Sequence, residues 1–411
     1  MATRRAFMQK ALGSSAALAA YGLFPSSRVL GANDRVRIGL IGAGGRGSEI
    51  FKVALKCPNV EGVAAADIYT RRLDKLKASI PALQTYGDFR KLLDDKSIDA
   101  VLIATPQHLH ALHFVPAVQA GKDVYQEKTM AFNPDHGKRM RKALEGSGRI
   151  AQVGVQTTSS PTIRQVREYL KPEHMGMITQ LHTFHYRNAP YGGWKRPIPA
   201  DCDLQHVDWK AFEGEAKEYP FDPNRLINWR FFWDYSGGNV FENMVHQVGF
   251  WFKVLDLKIP QKVTMVGANY FSPEMQPPDI MDVSMIQREK LLFTWNSMFG
   301  NNLFGEGYDA VLGNKGTVLR DEDDNVRYIS QERNSEAPNV GEAPRKAPDI
   351  VGVSDTTALH MQNFFDCVRS RKETDCPFEL GFRSAVACRM AVDSYRQGRT
   401  VSWDEQKEEI V

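Results

Sequence analysis

The sequence predicts a two-domain protein in which an α/β domain with a parallel sheet is followed by an α+β domain with a broad sheet. The chain has 411 residues, too many for one ordinary hydrophobic core. In its first third, apolar runs alternate with helical patterns, which is typical of parallel sheets. Strand-like alternation then dominates, and helical periodicity returns only near the C-terminus. These observations place the two domains at residues 33–153 and 154–411.

Composition and charge exclude several classes of protein. Hydrophobic residues make up 42% of the chain and charged residues 25%, values typical of soluble globular proteins rather than disordered or fibrous ones. The formal net charge is only +3, and four of the basic residues lie in the first 32 positions. We therefore expect no nucleic-acid partner. The five cysteines are scattered without a C-x-x-C pair, which predicts neither a zinc site nor a disulfide framework.

The N-terminal segment, residues 1–32, resembles a twin-arginine (Tat) export signal. Arg4 and Arg5 precede a weakly apolar stretch rich in small residues, Ala11 to Phe24, and then a polar end. The resemblance implies the Tat export machinery as a partner and a periplasmic or otherwise exported protein. An amphipathic helix with a chance arginine pair is the alternative. The apolar stretch is short for a transmembrane span, and no clean cleavage site precedes Asn33, so an uncleaved signal is the one membrane association left open.

A glycine-rich turn follows the first predicted strand of the parallel sheet. The predicted strands are Val36 to Ile41, Val60 to Ala66 and Ala100 to Ala104. The first runs directly into G-x-G-x-x-G, after which a helical pattern begins near Ser48. A strand before this motif and a helix after it favour a dinucleotide-binding turn over an ordinary glycine turn.

Each glycine of this motif has a distinct physical purpose. Gly42 permits the tight turn, Gly44 lets the backbone approach a pyrophosphate, and Gly47 lets the helix pack close to the strand. The N-terminus of the helix then offers N–H groups and a positive dipole end to the anion. The predicted cofactor-binding residues of the turn are Gly42, Ala43, Gly44, Gly45, Arg46 and Gly47.

Asp67 completes the predicted dinucleotide site. It closes the second strand twenty residues after Gly47, where a carboxylate can accept a hydrogen bond from an adenosine ribose hydroxyl. Its charge would repel a 2′-phosphate, which predicts NAD as the cofactor. Arg71 and Arg72 lie near enough in sequence to keep NADP as an alternative.

Two further segments resemble the Gfo/Idh/MocA family, which includes glucose-fructose oxidoreductase and inositol dehydrogenase. Residues 103–110 are similar to the family's A-T-P-x-x-x-H, and residues 121–128 to its G-K-H-V-x-x-E-K-P. The resemblance extends from about Arg35 to Asp404 and implies a Rossmann domain followed by an open, mostly antiparallel sheet. Such sheets commonly pair between subunits in this family, so we expect a homo-oligomer, either a dimer or a tetramer.

The resemblance also implies roles for residues beside the cofactor. Lys128 matches the family lysine that lies between nicotinamide and substrate and helps to organise proton transfer, although Thr129 stands where the family has proline. A surface lysine closing a loop is the alternative. The other predicted cofactor contacts are Thr105, Pro106, His110, Glu127 and Lys128. The spacing of His108, His110 and His113 does not place three ligands on one helical face, so we expect no metal site.

A third matching segment lies in the second domain. Residues 236–247 resemble the family helix G-G-G-x-x-x-D-x-x-x-H-x-x-D, in which the aspartate and the histidine face the substrate. Glu242 stands at the aspartate position and His246 four residues later, so on a helix both share one face and the carboxylate can orient the imidazole. Gly249 stands where the last aspartate usually falls. The alternatives are a structural histidine and a solvated glutamate.

Aromatic residues flank this segment and give further candidates. Aromatic rings can stack on the apolar face of a pyranose, although most such residues belong to cores or interfaces. The predicted catalytic residues are Lys128, Glu242 and His246, and the predicted substrate-binding residues are Tyr191, Trp194, Trp229, Trp233 and His246.

Together these features predict an NAD(P)-dependent oxidoreductase that transfers hydride to or from a carbohydrate. Because an exported enzyme has no NAD pool with which to exchange, we expect a tightly held cofactor that returns to its starting state in each cycle. Paired oxidation and reduction, epimerisation and glycoside cleavage by transient C3 oxidation all satisfy that condition. The family contains NAD-dependent glycosidases of the last kind. A catalytically silent protein that holds the cofactor is the alternative outside enzymology.

Overall fold

The computed structural model describes residues 35–331 and 356–411, so the predicted export signal lies outside the described residues. The first domain holds six parallel strands in the spatial order β3-β2-β1-β4-β5-β6. The strands are β1 (Val36–Ile41), β2 (Val60–Ala66), β3 (Gln84–Tyr86), β4 (Ala100–Ile103), β5 (Asp123–Glu127) and β6 (Ala151–Gly154). The helices are α1 (Gly45–Ala54), α2 (Thr70–Ser79), α3 (Phe89–Asp94), α4 (His110–Gln119) and α5 (Pro134–Leu144).

The order of these strands creates a crevice at their carboxyl ends. β4 and β5 are buried along their whole length, as expected for parallel strands with both faces covered. The chain progresses to one side from β1 through β3 and to the other side from β4 through β6. In open α/β sheets, ligands bind where the strand order reverses in this way. The glycine turn after β1 and Thr105 after β4 both lie at this point.

The second domain is built on a sheet of nine strands in the order β13-β12-β11-β7-β10-β9-β8-β14-β15. One pair, β7 with β10, is parallel and the others are antiparallel. The strands are β7 (Ile178–Tyr186), β8 (Lys262–Ala268), β9 (Ile280–Ile286), β10 (Leu292–Met298), β11 (Tyr308–Gly313), β12 (Gly316–Arg320), β13 (Val326–Ser330), β14 (Val401–Asp404) and β15 (Glu409–Ile410). This sheet confirms the predicted mostly antiparallel second domain.

Helices cover one face of this sheet. Its central strands alternate buried and partly exposed residues, as expected when a single face packs on a core. The helices of this part of the chain are α6 (Ile163–Tyr169), α7 (Pro172–Met175), α8 (Trp209–Glu213), α9 (Pro223–Ile227), α10 (Val245–Leu255), α11 (Thr356–Ser370) and α12 (Phe378–Gln397). α12 packs against both β8 and α10. Within the described ranges, no helix is long and apolar enough to cross a membrane.

One late helix returns to the first domain. α11 packs against α1, and its buried residues Met361, Phe364 and Phe365 join the hydrophobic core formed by α1, β1 and their neighbours. The chain therefore crosses back after the nine-stranded sheet, and residues 154–411 contribute to both cores.

A buried polar network fixes α10 against the sheet. Gln247 donates to Asp309 Oδ1 at 2.6 Å and accepts from Trp295 Nε1 at 2.7 Å. Arg320 donates to the other oxygen of Asp309 at 2.7 Å. Since each of these buried groups is hydrogen-bonded, the network holds the first turn of α10 in one position. His246 precedes Gln247 directly and is positioned with it.

Candidate active site

The glycine turn forms an open backbone surface after β1. Gly42 has a φ of +94°, and a Cβ on it would lie 2.9 Å from the backbone of Ala104. A Cβ on Gly47 would lie only 1.9 Å from the Gly42 carbonyl oxygen, so only glycine lets α1 begin this close to the turn. At Gly45, by contrast, a Cβ would meet nothing within 4 Å. The turn therefore presents bare backbone and a helix N-terminus to open space, as a pyrophosphate site requires.

Asp67 holds this turn and retains capacity for a ligand. Its side chain is buried and accepts from the N–H groups of Ala43 at 2.7 Å and Tyr69 at 2.9 Å. Arg72 lies 3.6 Å from the same carboxylate, whereas Arg71 pairs with Asp201 at 2.9 Å. A carboxylate offers about four acceptor positions, so one remains for a ribose hydroxyl. Of the two arginines that keep NADP open, Arg72 is the one beside Asp67.

A single large cleft extends from this turn. Its volume is about 1680 Å³, more than the roughly 300–1,000 Å³ of an ordinary small-molecule site. Every residue of the predicted turn except Gly47 lines it, as do Asp67, Thr105 and Pro106. Trp194, Trp229 and Arg230 line it as well, and they come from the second domain. The cleft therefore offers room for a dinucleotide together with a second molecule.

Glu242 is the centre of a compact cluster of charges next to this cleft. It is buried in a π-helical turn, Val240–Met244, that leads into α10. One carboxylate oxygen accepts from Gln107 Nε2 at 2.5 Å, and the other lies 2.8 Å from Lys128 Nζ and 3.1 Å from Arg230 Nε. Burial alone would raise the pKa of this carboxyl group, but Arg230 and Lys128 outweigh burial and lower it to about 2. Glu242 is therefore a permanently ionised anchor for two cations.

Lys128 is held by the opposite domain. Besides the Glu242 carboxylate, its ammonium donates to the Glu242 carbonyl oxygen at 3.0 Å. Thr129, which replaces the family proline, donates its hydroxyl to the carbonyl of Phe241 at 2.7 Å, and the Lys128–Thr129 peptide bond is cis. Two successive residues of the first domain thus bond two successive carbonyls of the π-helical turn.

Glu127 connects this cluster to the glycine turn. Its side chain is buried and accepts from Arg46 Nε at 2.9 Å, and from Gln156 at 3.2 Å. Its second oxygen accepts from the backbone N–H of Lys128 at 3.1 Å. Arg46 belongs to the predicted cofactor-binding turn, so one buried carboxylate fixes the turn relative to Lys128.

Glu242 acts on His246 through its charge, which raises the pKa of the imidazole, and not through a hydrogen bond. The Glu242 carboxylate instead lies against Gln107, Lys128 and Arg230. The physical reason is that these three groups, which come from other segments of the chain, occupy the carboxylate, so it can tune the imidazole but does not orient it.

His246 is partly buried, and neither of its ring nitrogens hydrogen-bonds to a residue that the structure describes. Burial, with the charges of Lys128 and Arg46, holds the pKa of His246 well below its usual range, and Glu242 offsets this only in part. The ring is therefore neutral near pH 7 and has a nitrogen available to accept a proton.

The other predicted histidine has a different environment. His110 is fully buried, and its ring lies 2.9 Å from the Thr105 carbonyl and 2.8 Å from the Thr129 carbonyl. It holds the loop after β4 against the loop after β5 and does not line the cleft, so direct contact with a cofactor stays a prediction. His108 bonds the Phe212 carbonyl and His113 the Thr105 hydroxyl. Among the described residues, no group of three potential ligands could hold a metal ion.

The predicted aromatic residues divide into two groups. Trp194 and Trp229 line the cleft, and the Arg230 guanidinium lies 4.3 Å from the Trp229 ring. Tyr191 stacks on Phe231 outside the cleft lining. Trp233 packs against Tyr395 and near Arg396 of α12 and does not line the cleft, so substrate binding by Trp233 stays a prediction. These aromatic residues are close in sequence, but their side chains point in different directions, so only some of them reach the cleft.

Sequence reasoning missed Gln107 and Arg230. Gln107 lies within the matched A-T-P-x-x-x-H segment but at an unspecified position, so the motif indicates its location and not its role. Arg230 follows Trp229 in an irregular segment and is identified only by its contact with Glu242. Packing explains why glycine stands at position 249, because a Cβ there would lie 2.6 Å from the Val155 side chain. An aspartate at that position would push α10 away from the first domain.

Comparison with known proteins supports the interpretation of the first domain as a dinucleotide-binding domain. Residues 36–155 match the oxidoreductase family Gfo/Idh/MocA, NAD-binding Rossmann fold. The chain is 30% identical over 156 residues to 1-carboxy-3-chloro-3,4-dihydroxycyclohexa-1,5-diene dehydrogenase of Comamonas testosteroni, covering 38% of this chain and 39% of that protein. It is 38% identical over 121 residues to a glycosyl hydrolase family 109 protein of Stenotrophomonas maltophilia, covering 27% of each. The chain thus spans less than half the length of either relative.

The fold of both domains has solved counterparts. A levoglucosan dehydrogenase in complex with NADH and levoglucosan superimposes with a TM-score of 0.68 at 17% identity, over 90% of this chain and 99% of that one. At this identity the match supports the fold alone, and it covers both domains. NAD as cofactor and the predicted fold class are confirmed. Residues 36–155 of this chain therefore match the NAD-binding Rossmann fold of the Gfo/Idh/MocA oxidoreductase family.

Proposed function

We propose that this protein is an NAD(P)-dependent oxidoreductase that transfers hydride to or from a secondary alcohol of a carbohydrate or related ring polyol. The observation that carries the proposal is the position of the Glu242 cluster. Lys128 and Arg230 share the Glu242 carboxylate, and Arg230 also lines the cleft that contains the glycine turn. A cofactor held at the turn and an alcohol held near Arg230 would occupy one continuous cleft.

The residues of the turn fit the cofactor. Gly44 and Gly45 leave the backbone uncovered toward the cleft, and Asp67 retains acceptor capacity for a ribose hydroxyl. Bound there, nicotinamide would supply the hydride acceptor or donor. The net reaction then depends on which protein groups handle the hydroxyl proton.

His246 is the best candidate for the general base. Its ring is neutral near pH 7 and free of hydrogen bonds to the described residues, so it can accept the hydroxyl proton. Glu242 is unsuited to this task because its lowered pKa and its three partners keep it ionised and occupied. Lys128, held at 2.8 Å from Glu242, would donate to the reacting oxygen as negative charge develops on it.

Relatives support chemistry on a ring alcohol. One is named a dehydrogenase of a dihydroxylated ring compound, and levoglucosan is bound in the structural counterpart. The similarity to a glycosyl hydrolase family 109 protein favours a second candidate, glycoside cleavage through transient C3 oxidation and elimination. In that reaction the cofactor returns to its starting state and the proton on C2 is exchanged.

Export and oligomerisation belong to the same proposal. Arg4 and Arg5 would direct the folded protein through the Tat pathway, which fits a cofactor that is retained and recycled. Ile286 and Leu292, which face each other across β9 and β10, are 49% and 36% exposed and would suit pairing with a second copy. Replacing both arginines by lysine should block export in a native-like host, and unchanged periplasmic activity would count against the signal.

One experiment separates the two candidate reactions. The purified protein is denatured to identify released dinucleotide by mass spectrometry, and the native protein is then screened with glycosides without added NAD. We expect NAD(H) to be released, and many turnovers without accumulating NADH. In deuterated water, deuterium at C2 of the freed sugar would support elimination. Stoichiometric NADH with no C2 deuterium would support simple dehydrogenation, and absence of any bound or binding dinucleotide would overturn the proposal.

A further inference from the structure

Arg230 has the geometry of a ligand-binding arginine. Its Nε faces Glu242 at 3.1 Å, while its two terminal nitrogens make no hydrogen bond to any residue that the structure describes. The side chain is 29% exposed and lines the cleft. The guanidinium thus presents its terminal nitrogens to the space in which the substrate would bind.

The orientation of this guanidinium is fixed on two sides. Its central carbon lies 4.3 Å from the Trp229 ring and 6.0 Å from the Trp194 ring, and Glu242 holds its inner edge. Cation–π contact and the ion pair restrict a side chain that would otherwise lose much conformational entropy on binding a ligand. A prepositioned guanidinium binds planar oxyanions with two parallel hydrogen bonds.

The charge of the cluster is unbalanced by one. Lys128 and Arg230 are both cationic, and among the residues that the structure describes Glu242 is the only carboxylate that pairs with either. Arg46 does not change this count, because it forms a neutral pair with the buried Glu127, while its second partner, Glu49, is 61% exposed and screened by solvent. His246 adds no charge near pH 7, since its pKa is held well below its usual range. The Glu242 cluster, which comprises Gln107, Lys128, Arg230 and Glu242, therefore carries one positive charge in excess.

We propose that the substrate of this site is a carboxylated carbohydrate, such as a sugar acid, whose carboxylate is bound by the terminal nitrogens of Arg230. This inference rests on the proposed function and adds the class of substrate to it. A monoanion neutralises the single excess charge, whereas a phosphate carries roughly −1.5 to −2 and overcompensates it. For this reason the structure favours a carboxylate over a sugar phosphate.

A matched control exists in the same cleft. Arg196 also lines the cleft, but its guanidinium donates to the carbonyls of Gly193 at 2.6 Å and Lys195 at 3.1 Å. Arg196→Gln removes the same unit of charge from the cleft as Arg230→Gln. A difference in acid preference between the two variants therefore reports on hydrogen bonding by the Arg230 guanidinium and not on the total positive charge of the cleft.

The test compares acid and neutral forms of the same sugar. Dissociation constants are measured by calorimetry on the NAD-loaded full-length protein for three pairs: glucuronate and glucose, galacturonate and galactose, mannuronate and mannose. Glucose 6-phosphate is included. Within at least one pair the acid should bind about 10- to 100-fold more tightly. Arg230→Gln should bring that ratio to about 1, and Arg196→Gln should keep it.

Arg230→Lys is a second variant, chosen because it is less prone to misfold. It keeps the positive charge beside Glu242 and removes only the planar guanidinium. It should retain NAD binding and lose most of the preference for the acid. The proposal is overturned if no pair shows a preference, if no sugar binds, if glucose 6-phosphate binds more tightly than glucuronate, or if Arg196→Gln lowers the ratio as far as Arg230→Gln does. Loss of NAD affinity in Arg230→Lys would assign Arg230 to the cofactor and also overturn it. Failure of the proposed function would show separately, as absence of bound dinucleotide and of turnover.

Discussion

The two ends of the candidate site are built in opposite ways: the glycine turn lines the cleft, whereas Arg230 is the member of the Glu242 cluster that reaches it. At the glycine turn, contiguous residues present bare backbone, and a Cβ on Gly45 would meet nothing within 4 Å. At the Glu242 cluster, the groups are side chains from four separate segments, and the central carboxylate is buried beside one amide donor and two cations. One end therefore works by leaving side chains out, and the other by holding them at fixed distances.

This difference determines what each end tolerates. The turn depends on a few close backbone approaches and is otherwise open. The cluster depends on charge pairs that are buried, so removing one member leaves the charge of its partner without an opposite charge nearby. Substitutions at the turn should thus be either severe or silent, whereas those at the cluster should alter the chemistry with the fold retained.

The largest expected effect is at Gly47. A Cβ on Gly47 would lie 1.9 Å from the Gly42 carbonyl oxygen, so Gly47→Ala must displace α1 from the turn. We expect NAD affinity to fall by at least about 10²-fold, or about 2.7 kcal/mol. Gly307→Ala is the matched control, because a Cβ there would meet only the Cα of Glu322 at 3.8 Å and Gly307 does not line the cleft, so its NAD affinity should match that of the native protein. Equal affinities of the two variants in a fluorescence titration would show that the turn does not bind the cofactor.

The second prediction concerns the cluster end. Lys128→Ala and His246→Ala should each lower turnover by about 10²-fold while NAD remains bound, because both groups act on the proton. His110→Ala is the contrasting variant, since its buried ring bonds the Thr105 and Thr129 carbonyls and does not itself line the cleft. That variant should lose about 2–5 kcal/mol of unfolding free energy. Loss of cofactor and fold in His246→Ala would instead make His246 structural.

The sequence allowed prediction of one end far better than of the other. Gly42, Gly47 and Asp67 were identifiable because a strand, a turn and a helix are adjacent in the chain, and local spacing alone sets their geometry. Lys128 and Glu242 were each identified by resemblance, yet their 2.8 Å contact was not. It joins positions 114 residues apart, which no local pattern reports.

The remaining errors have equally specific causes. The helical spacing predicts that Glu242 orients His246, but Gln107 and Lys128, which come from distant segments, occupy the Glu242 carboxylate. Arg230 lies in an irregular segment without periodicity, so only the folded structure shows its partner. Trp233 and Trp229 are neighbours in sequence, but one packs on α12 and the other lines the cleft.

The third prediction concerns acid lability, which both ends share. Burial lowers the pKa of seven histidines; it falls to about 4 for His108, His136, His185 and His360, to about 3 for His113, and below the usual value for His110 and His246. Below pH 6.5 the unfolded chain binds more protons than the folded one, so stability falls as the pH drops toward 4.

Each of these histidines contributes at most about 1.4 kcal/mol per pH unit to the slope of unfolding free energy against pH. Urea unfolding at pH 7.5, 6.0 and 5.0, at one NAD concentration, should give steadily lower unfolding free energies. A flat profile over this range would mean that the histidines are protonated without cost. It would also remove the reason for treating His246 as neutral.

The smallest expected effect is at Thr129, where the two domains meet beside Lys128. Its hydroxyl is buried and donates to the Phe241 carbonyl at 2.7 Å, one residue before Glu242. Thr129→Val keeps the shape and leaves that carbonyl without this donor, which should cost about 1–3 kcal/mol of stability. Since Lys128 and Glu242 belong to the segments joined by this bond, turnover should also fall, by about 3- to 10-fold at most, with NAD affinity unchanged. Thr129→Ser retains the hydroxyl and should recover most of both losses. If serine is as impaired as valine, packing of the methyl group, and not the hydrogen bond, holds the two segments together.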